Sequence, residues 1–106
     1  MPKFLIKASY TGEGARGLMK EGGSSRRAVV EKMAQDAGGR VEAFYFAYGD
    51  TDAYIITDVP DAATGLALSL AVNASGAVHI TTTPLITPEE MDAVVKRTVA
   101  YRAPGA

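Results

Sequence analysis

A single histidine, a lysine on another strand and several tyrosines are the side chains here best suited to moving a proton or steadying charge. Histidine titrates near neutral pH, and His79 is the only one in the chain, so it is the candidate general base or axial haem ligand. Lys7 or Tyr48 would then steady developing charge. Against this stands the plainer reading that a lone strand histidine is a packed or half-exposed residue. No serine has an evident base and orienting partner beside it, and there is no cysteine. Asp50, Asp52 and Asp58 surround a turn and could meet a cation, but carboxylates at such places usually form the turn itself. With one histidine and no cysteine, Cys/His zinc clusters are excluded. No metal and no cofactor is expected.

Two glycine-rich stretches could hold phosphate. Gly12-Glu13-Gly14-Ala15-Arg16-Gly17 spells GxGxxG between a strand and a helix, yet a dinucleotide site needs a parallel βαβ unit and an acidic residue closing the second strand. Here the second strand runs into a hairpin, so a loose start to the first helix is the better reading. Gly22-Gly23-Ser24-Ser25-Arg26-Arg27 puts two arginines at a helix N-terminus, where anions are favoured. It lacks the Gly-Lys-Ser/Thr of a P-loop and reads as an N-cap with solvated arginines.

The elements that position these groups follow from apolar spacing and turn chemistry. Lys3 to Ser9 alternates as a strand and stops at Tyr10-Thr11-Gly12. A weak helical stretch from Glu13 to Lys20, capped by Thr11, is broken by Gly22-Gly23. A firmer helix starts at Ser24 as N-cap, with Ala28, Val29, Val30, Met33, Ala34 and Ala37 at helical spacing, and ends at Gly38-Gly39. Val41 to Tyr48 and Ala53 to Val59 are strands joined through Gly49-Asp50-Thr51-Asp52. Asp61 to Ser75 is helical, its stripe drawn by Leu66, Leu70, Ala67, Ala71 and Ala74, with Gly76 past its end. Val78 to Ile86 is the last strand, demoted at its far half by Pro84. Thr87-Pro88-Glu89-Glu90 opens a third helix with a capping box that fades after Lys96, before an extended tail.

The order β-α-β-β-α-β plus a short helix predicts an α+β, ferredoxin-like fold: a four-stranded antiparallel sheet with two helices on one face and an extra C-terminal helix. Strict alternation then divides the strands. Phe4, Ile6, Ala8, Val41, Ala43, Tyr45, Ala47, Ala53, Ile55, Thr57, Val78, Ile80 and Thr82 are assigned to the helices. The opposite set holds Leu5, Lys7, Ser9, Glu42, Phe44, Phe46, Tyr48, Tyr54, Ile56, Asp58, His79, Thr81, Thr83 and Leu85. Five large apolar side chains on that open face each forgo roughly 1.5–3 kcal/mol if left wet. A second copy stacked through a twofold axis would shelter them as a dimeric α+β barrel; the alternative cover is the third helix or the tail.

At 106 residues and 47% hydrophobic, the chain suits one domain spanning 1–106 whose stability gains from self-association. Eleven basic against twelve acidic residues give a net charge near −1, which argues against nucleic acid and membrane surfaces as partners. The opening residues contain an apolar run of only three, and nothing approaches the roughly 20 apolar residues of a membrane span, so a cytoplasmic location is expected.

Pro2-Lys3-Phe4-Leu5-Ile6, Ala8-Ser9-Tyr10-Thr11, Glu21-Gly22-Gly23-Ser24, Phe44-Tyr45-Phe46-Ala47-Tyr48-Gly49, Pro60-Asp61 and the closing Tyr101-Arg102-Ala103-Pro104-Gly105 together resemble the GYD-domain family. The family's Gly-Tyr-Asp signature departs here: Gly49-Asp50-Thr51-Asp52 keeps the glycine and a later aspartate but has no tyrosine between them. The resemblance implies a dimeric α+β barrel and brings no catalytic residues with it. Three functions are in play. The first is a homo-oligomeric binder of a small, partly aromatic metabolite, using Lys7, Phe44, Phe46, Tyr48, Tyr54, Thr81 and His79. The second is a small cofactor-light isomerase or monooxygenase-like enzyme with His79 as its catalytic group. The third is an interaction module with no pocket.

Overall fold

The computed structural model describes every residue except Tyr48, which leaves that member of the expected site outside the described residues. The chain runs β1 (Lys3–Tyr10), α1 (Gly12–Glu21), α2 (Gly23–Asp36), β2 (Arg40–Phe46), β3 (Ala53–Asp58), α3 (Ala62–Ala74), β4 (Val78–Leu85) and α4 (Pro88–Val94). The strands form one sheet in the order β2-β3-β1-β4, every neighbouring pair antiparallel. This α+β arrangement is compatible with a ferredoxin-like fold. Among the described residues no helix is long and apolar enough to cross a membrane.

Local chemistry sets most boundaries. The Thr11 hydroxyl accepts from the Gly14 N–H at 3.2 Å, and the Asp61 carboxylate accepts from the Thr64 N–H at 2.7 Å, each satisfying a free amide of a first helical turn. The capping box opening α4 is present in both directions, with the Glu90 N–H donating to Thr87 Oγ1 at 3.0 Å and the Thr87 N–H to Glu90 Oε1 at 3.1 Å. One cap differs from expectation. The first two helices part at Gly22, whose φ of 83° is open to glycine and costly for other residues, so α2 starts at Gly23 and not after Ser24.

The core lies between the sheet and the helices α2 and α3. Ala8, Ala53, Ile55, Val78 and Ile80 from the sheet bury against Val30, with Val72 of α3 packed alongside. Phe4 lies under Gly65, where an added Cβ would sit 2.9 Å from the ring. That contact decides which side of α3 faces in. The predicted stripe through Leu66 and Leu70 points outward, both residues 62% exposed, while Gly65, Leu68, Ser69 and Val72 lie over the sheet. Because α3 is apolar nearly all round, periodicity alone could not choose its inner face. Near its end, the Asn73 side chain accepts from the Ile80 N–H at 2.7 Å and donates to the Ile80 carbonyl at 3.2 Å, occupying the outer edge of β4.

A second correction concerns β2. Val41 pairs with Thr57 but Ala43 pairs with Ile56, so Glu42 is an extra residue, a β-bulge, and every side chain beyond it changes sides. Phe44 therefore packs against the core, and Phe46 lies over Gly23 at the start of α2, not on the open face. The physical reason is that the bulge puts Val41, Phe44 and Phe46 on the helix side together, which unbroken alternation cannot do. Tyr45 takes their place on the open face, 71% exposed.

Beyond β4 the chain departs from the body. Every residue from Pro88 to Ala106 is exposed, including Met91, Val94, Val95, Val99 and Tyr101. The radius of gyration is 16.8 Å and the long axis 56 Å, against about 13 Å expected of a compact chain this long.

Candidate functional site: the uncovered sheet face

Register pairs place the open-face side chains in rows across the sheet, with neighbours in a row roughly 4.5–5.5 Å apart. One row runs Tyr45, Tyr54, Lys7, Thr81 from β2 to β4. The next runs Ala43, Ile56, Leu5, Thr83, and beyond it come Arg40, Asp58, Lys3 and Leu85. On the other side of the tyrosine row, Ser9 stands opposite His79. The face is thus graded: phenols, an ammonium and hydroxyls at one end, an aliphatic strip in the middle, ion pairs at the other.

The ionic end is self-contained. Lys3 Nζ bonds Glu42 and also Asp58, the latter at 2.9 Å, while Arg40 Nη2 reaches the other Asp58 oxygen at 2.9 Å. Two cations thereby meet two carboxylates. The hydrogen bond from Lys3, helped by the Arg40 charge and opposed by burial, holds the Asp58 carboxyl below its ordinary value of 3.8. In turn, the bonds to Glu42 and Asp58 raise the Lys3 ammonium above its ordinary value. A depressed carboxyl contributes stability that is full above its unfolded value and lost as pH falls through the folded one. Unfolding free energy should accordingly decline below about pH 4. Asp58→Asn should flatten that decline in urea titrations without abolishing it, because the Asp61 cap, lowered by the Thr64 N–H, also titrates there.

Lys7 differs from Lys3. It is exposed, and among the described residues no carboxylate lies within ion-pair distance of it. Its row neighbours Tyr54 and Thr81 are exposed too. The row can therefore donate hydrogen bonds to ligand oxygens and counter negative charge, over an aliphatic strip that would hold a ring.

Of the residues expected from sequence, Lys7, Tyr54, Thr81 and His79 share this face, whereas Phe44 and Phe46 are on the helix side. His79 is exposed, and among the described residues no side chain hydrogen-bonds its ring to fix its orientation. The three aspartates do not converge: Asp52 accepts from the Tyr10 N–H at 2.8 Å, and Asp58 is held by Lys3 and Arg40. Among the described residues no group of three His, Asp or Glu side chains is placed to hold a metal ion. Tyr45 was missed because only the bulge brings it to this face. A sequence signal existed in the Phe44-Tyr45-Phe46 run, whose two phenylalanines have the stronger claim to the core than the tyrosine between them.

Fold and face together define an α+β domain that fills one side of its sheet with its own helices and leaves the other bare. The family model for the GYD domain matches residues 4–95, and the chain belongs to that family. Comparison with curated proteins and with solved structures gave no match.

Proposed function

We propose that this GYD-domain protein is a self-associating binding domain. Its open sheet face packs against that of a second copy and holds a small, partly aromatic, oxygen-bearing metabolite beside Tyr54, Lys7, Thr81, Tyr45 and His79. The observation that carries this reading is the row Tyr45-Tyr54-Lys7-Thr81, a line of donors with an uncountered ammonium on a face none of the chain's own helices covers. The bare apolar side chains of the C-terminal arm support self-association by a second route, since an isolated copy leaves them in water.

Sedimentation equilibrium at micromolar concentration is expected to show a dimer or a larger closed assembly, and Tyr45→Asp with Tyr54→Asp should shift it toward single chains. In a thermal-shift screen of aromatic metabolites, hits should disappear in Lys7→Ala and Tyr54→Ala while Phe46→Ala retains them. A chain that sediments as a monomer, with hits indifferent to Lys7, would rule the reading out.

A further inference from the structure

The helix side of the molecule holds a feature the open face does not explain. An open cleft of about 490 Å³ lies between α1, α2 and α3, walled by Leu18, Val29, Met33 and Val72, with Tyr10 and Arg26 also lining it. Two glycines of α1 line it: Gly14 packs on the Ala77 backbone, where an added Cβ would lie 1.9 Å from the carbonyl oxygen, and Gly17 faces open space. A Cβ added at Gly17 would meet nothing within 4 Å.

Arg26 is the unusual member. It is half-buried, and its side chain also borders a narrow gap of about 40 Å³ among Phe44, Ile55 and Ile80 in the interior. Among the described residues no carboxylate lies within ion-pair distance of it. A partly buried cation with no carboxylate in contact is a favourable partner for an arriving anion. Its neighbour is the half-buried Tyr10 phenol, whose pKa burial raises and Arg26 pulls back down. Glu13 and Glu21 also line the cleft, and the Glu21 charge acts on the Tyr10 phenol against Arg26, but both carboxylates are exposed and neither lies within ion-pair distance of Arg26.

We propose that this cleft binds a small amphipathic carboxylate, its acid group on the Arg26 guanidinium and the Tyr10 hydroxyl and its apolar body among Leu18, Val29, Met33 and Val72. The guanidinium fork suits a carboxylate in a way an ammonium does not. The volume is within the roughly 300–1,000 Å³ of small-molecule sites.

The test uses the full-length chain, octanoate as probe, and octanol and octylamine as controls of equal length, read by amide chemical shifts. Octanoate should saturate shifts at Gly14, Gly17, Leu18 and Met33, bind at least about tenfold more tightly than either control, and lose at least about tenfold in Arg26→Ala. Gly17→Leu should fill the cleft and abolish binding while raising the melting temperature, since it trades a helical glycine for a better helix former where there is room. That rise separates lost binding from lost folding. The proposal is overturned if octylamine binds as tightly as octanoate, which would make Glu13 and Glu21 the determinants. It is equally overturned if Gly17→Leu leaves octanoate binding intact or if the shifts fall instead at Lys7 and Tyr54. Cleft shifts that follow protein concentration and ignore octanoate would show a second copy to be the occupant, and would also overturn it.

Discussion

Truncating Phe4 to alanine is expected to cost about 3–5 kcal/mol of unfolding free energy in urea or guanidinium titrations. For a domain of this size, whose whole stability is on the order of 5–15 kcal/mol, that is a large share. The magnitude follows from position. Phe4 is 7% exposed on β1, a strand paired on both edges, and its ring rests against Gly65 of α3. A glycine has no side chain to swing into the vacated space, so the cavity persists. The same geometry predicts coupling. Gly65→Ala alone strains, its Cβ 2.9 Å from the ring, but in the Phe4→Ala background the methyl enters free space, so the double variant should be more stable than the two costs summed. A Phe4→Ala cost below about 1.5 kcal/mol would mean that the ring does not anchor α3.

Gly39→Ala is expected to destabilise by about 2–3 kcal/mol, a large effect for one methyl group. An added Cβ would lie 2.1 Å from the Asp58 carbonyl oxygen and 3.1 Å from the Val59 Cα. Both are backbone atoms, and neither can yield cheaply. Val59 donates its N–H to the Pro2 carbonyl at 3.0 Å, and the Asp58 carboxylate is held by Lys3 and Arg40. Gly39 itself donates to the Ala34 carbonyl at 2.8 Å, which fixes it from the helix side. Gly17→Ala, with open space around it in a helix, should do the reverse and stabilise by about 0.5–1 kcal/mol. The opposite signs, measured together by chemical denaturation, test whether close backbone approach or glycine entropy governs these positions.

The element order was legible because each boundary carries its own chemistry. Thr11 and the Thr87-to-Glu90 box state a helix start in residues that touch one another locally. Phe4, Ile6, Ala8, Ile55, Val78 and Ile80 alternate as their faces require, and Lys7, Tyr54, Thr81 and His79 were placed on the open face by that alternation alone. The failures share a cause: each depended on partners distant in sequence. The Phe44-Tyr45-Phe46 run is the one local hint of a bulge and does not place it at Glu42, where it exchanged Phe44 and Phe46 for Tyr45 on the open face. Leu66 and Leu70 lost the inner face of α3 to Gly65 and Val72 because the Phe4 ring needs a gap above it. The Lys3, Glu42, Asp58 and Arg40 cluster joins three strands, and Arg26 beside Tyr10 joins a helix to a strand, so neither shows in spacing along one segment.

The Asn73 side chain against Ile80 has a bearing on the outer edge of the sheet. It imitates a peptide unit, spending the donor and acceptor that Ile80 would otherwise offer an incoming strand, and Pro84 further along that strand has no N–H to give. That flank therefore offers an added strand fewer backbone partners than an open edge would.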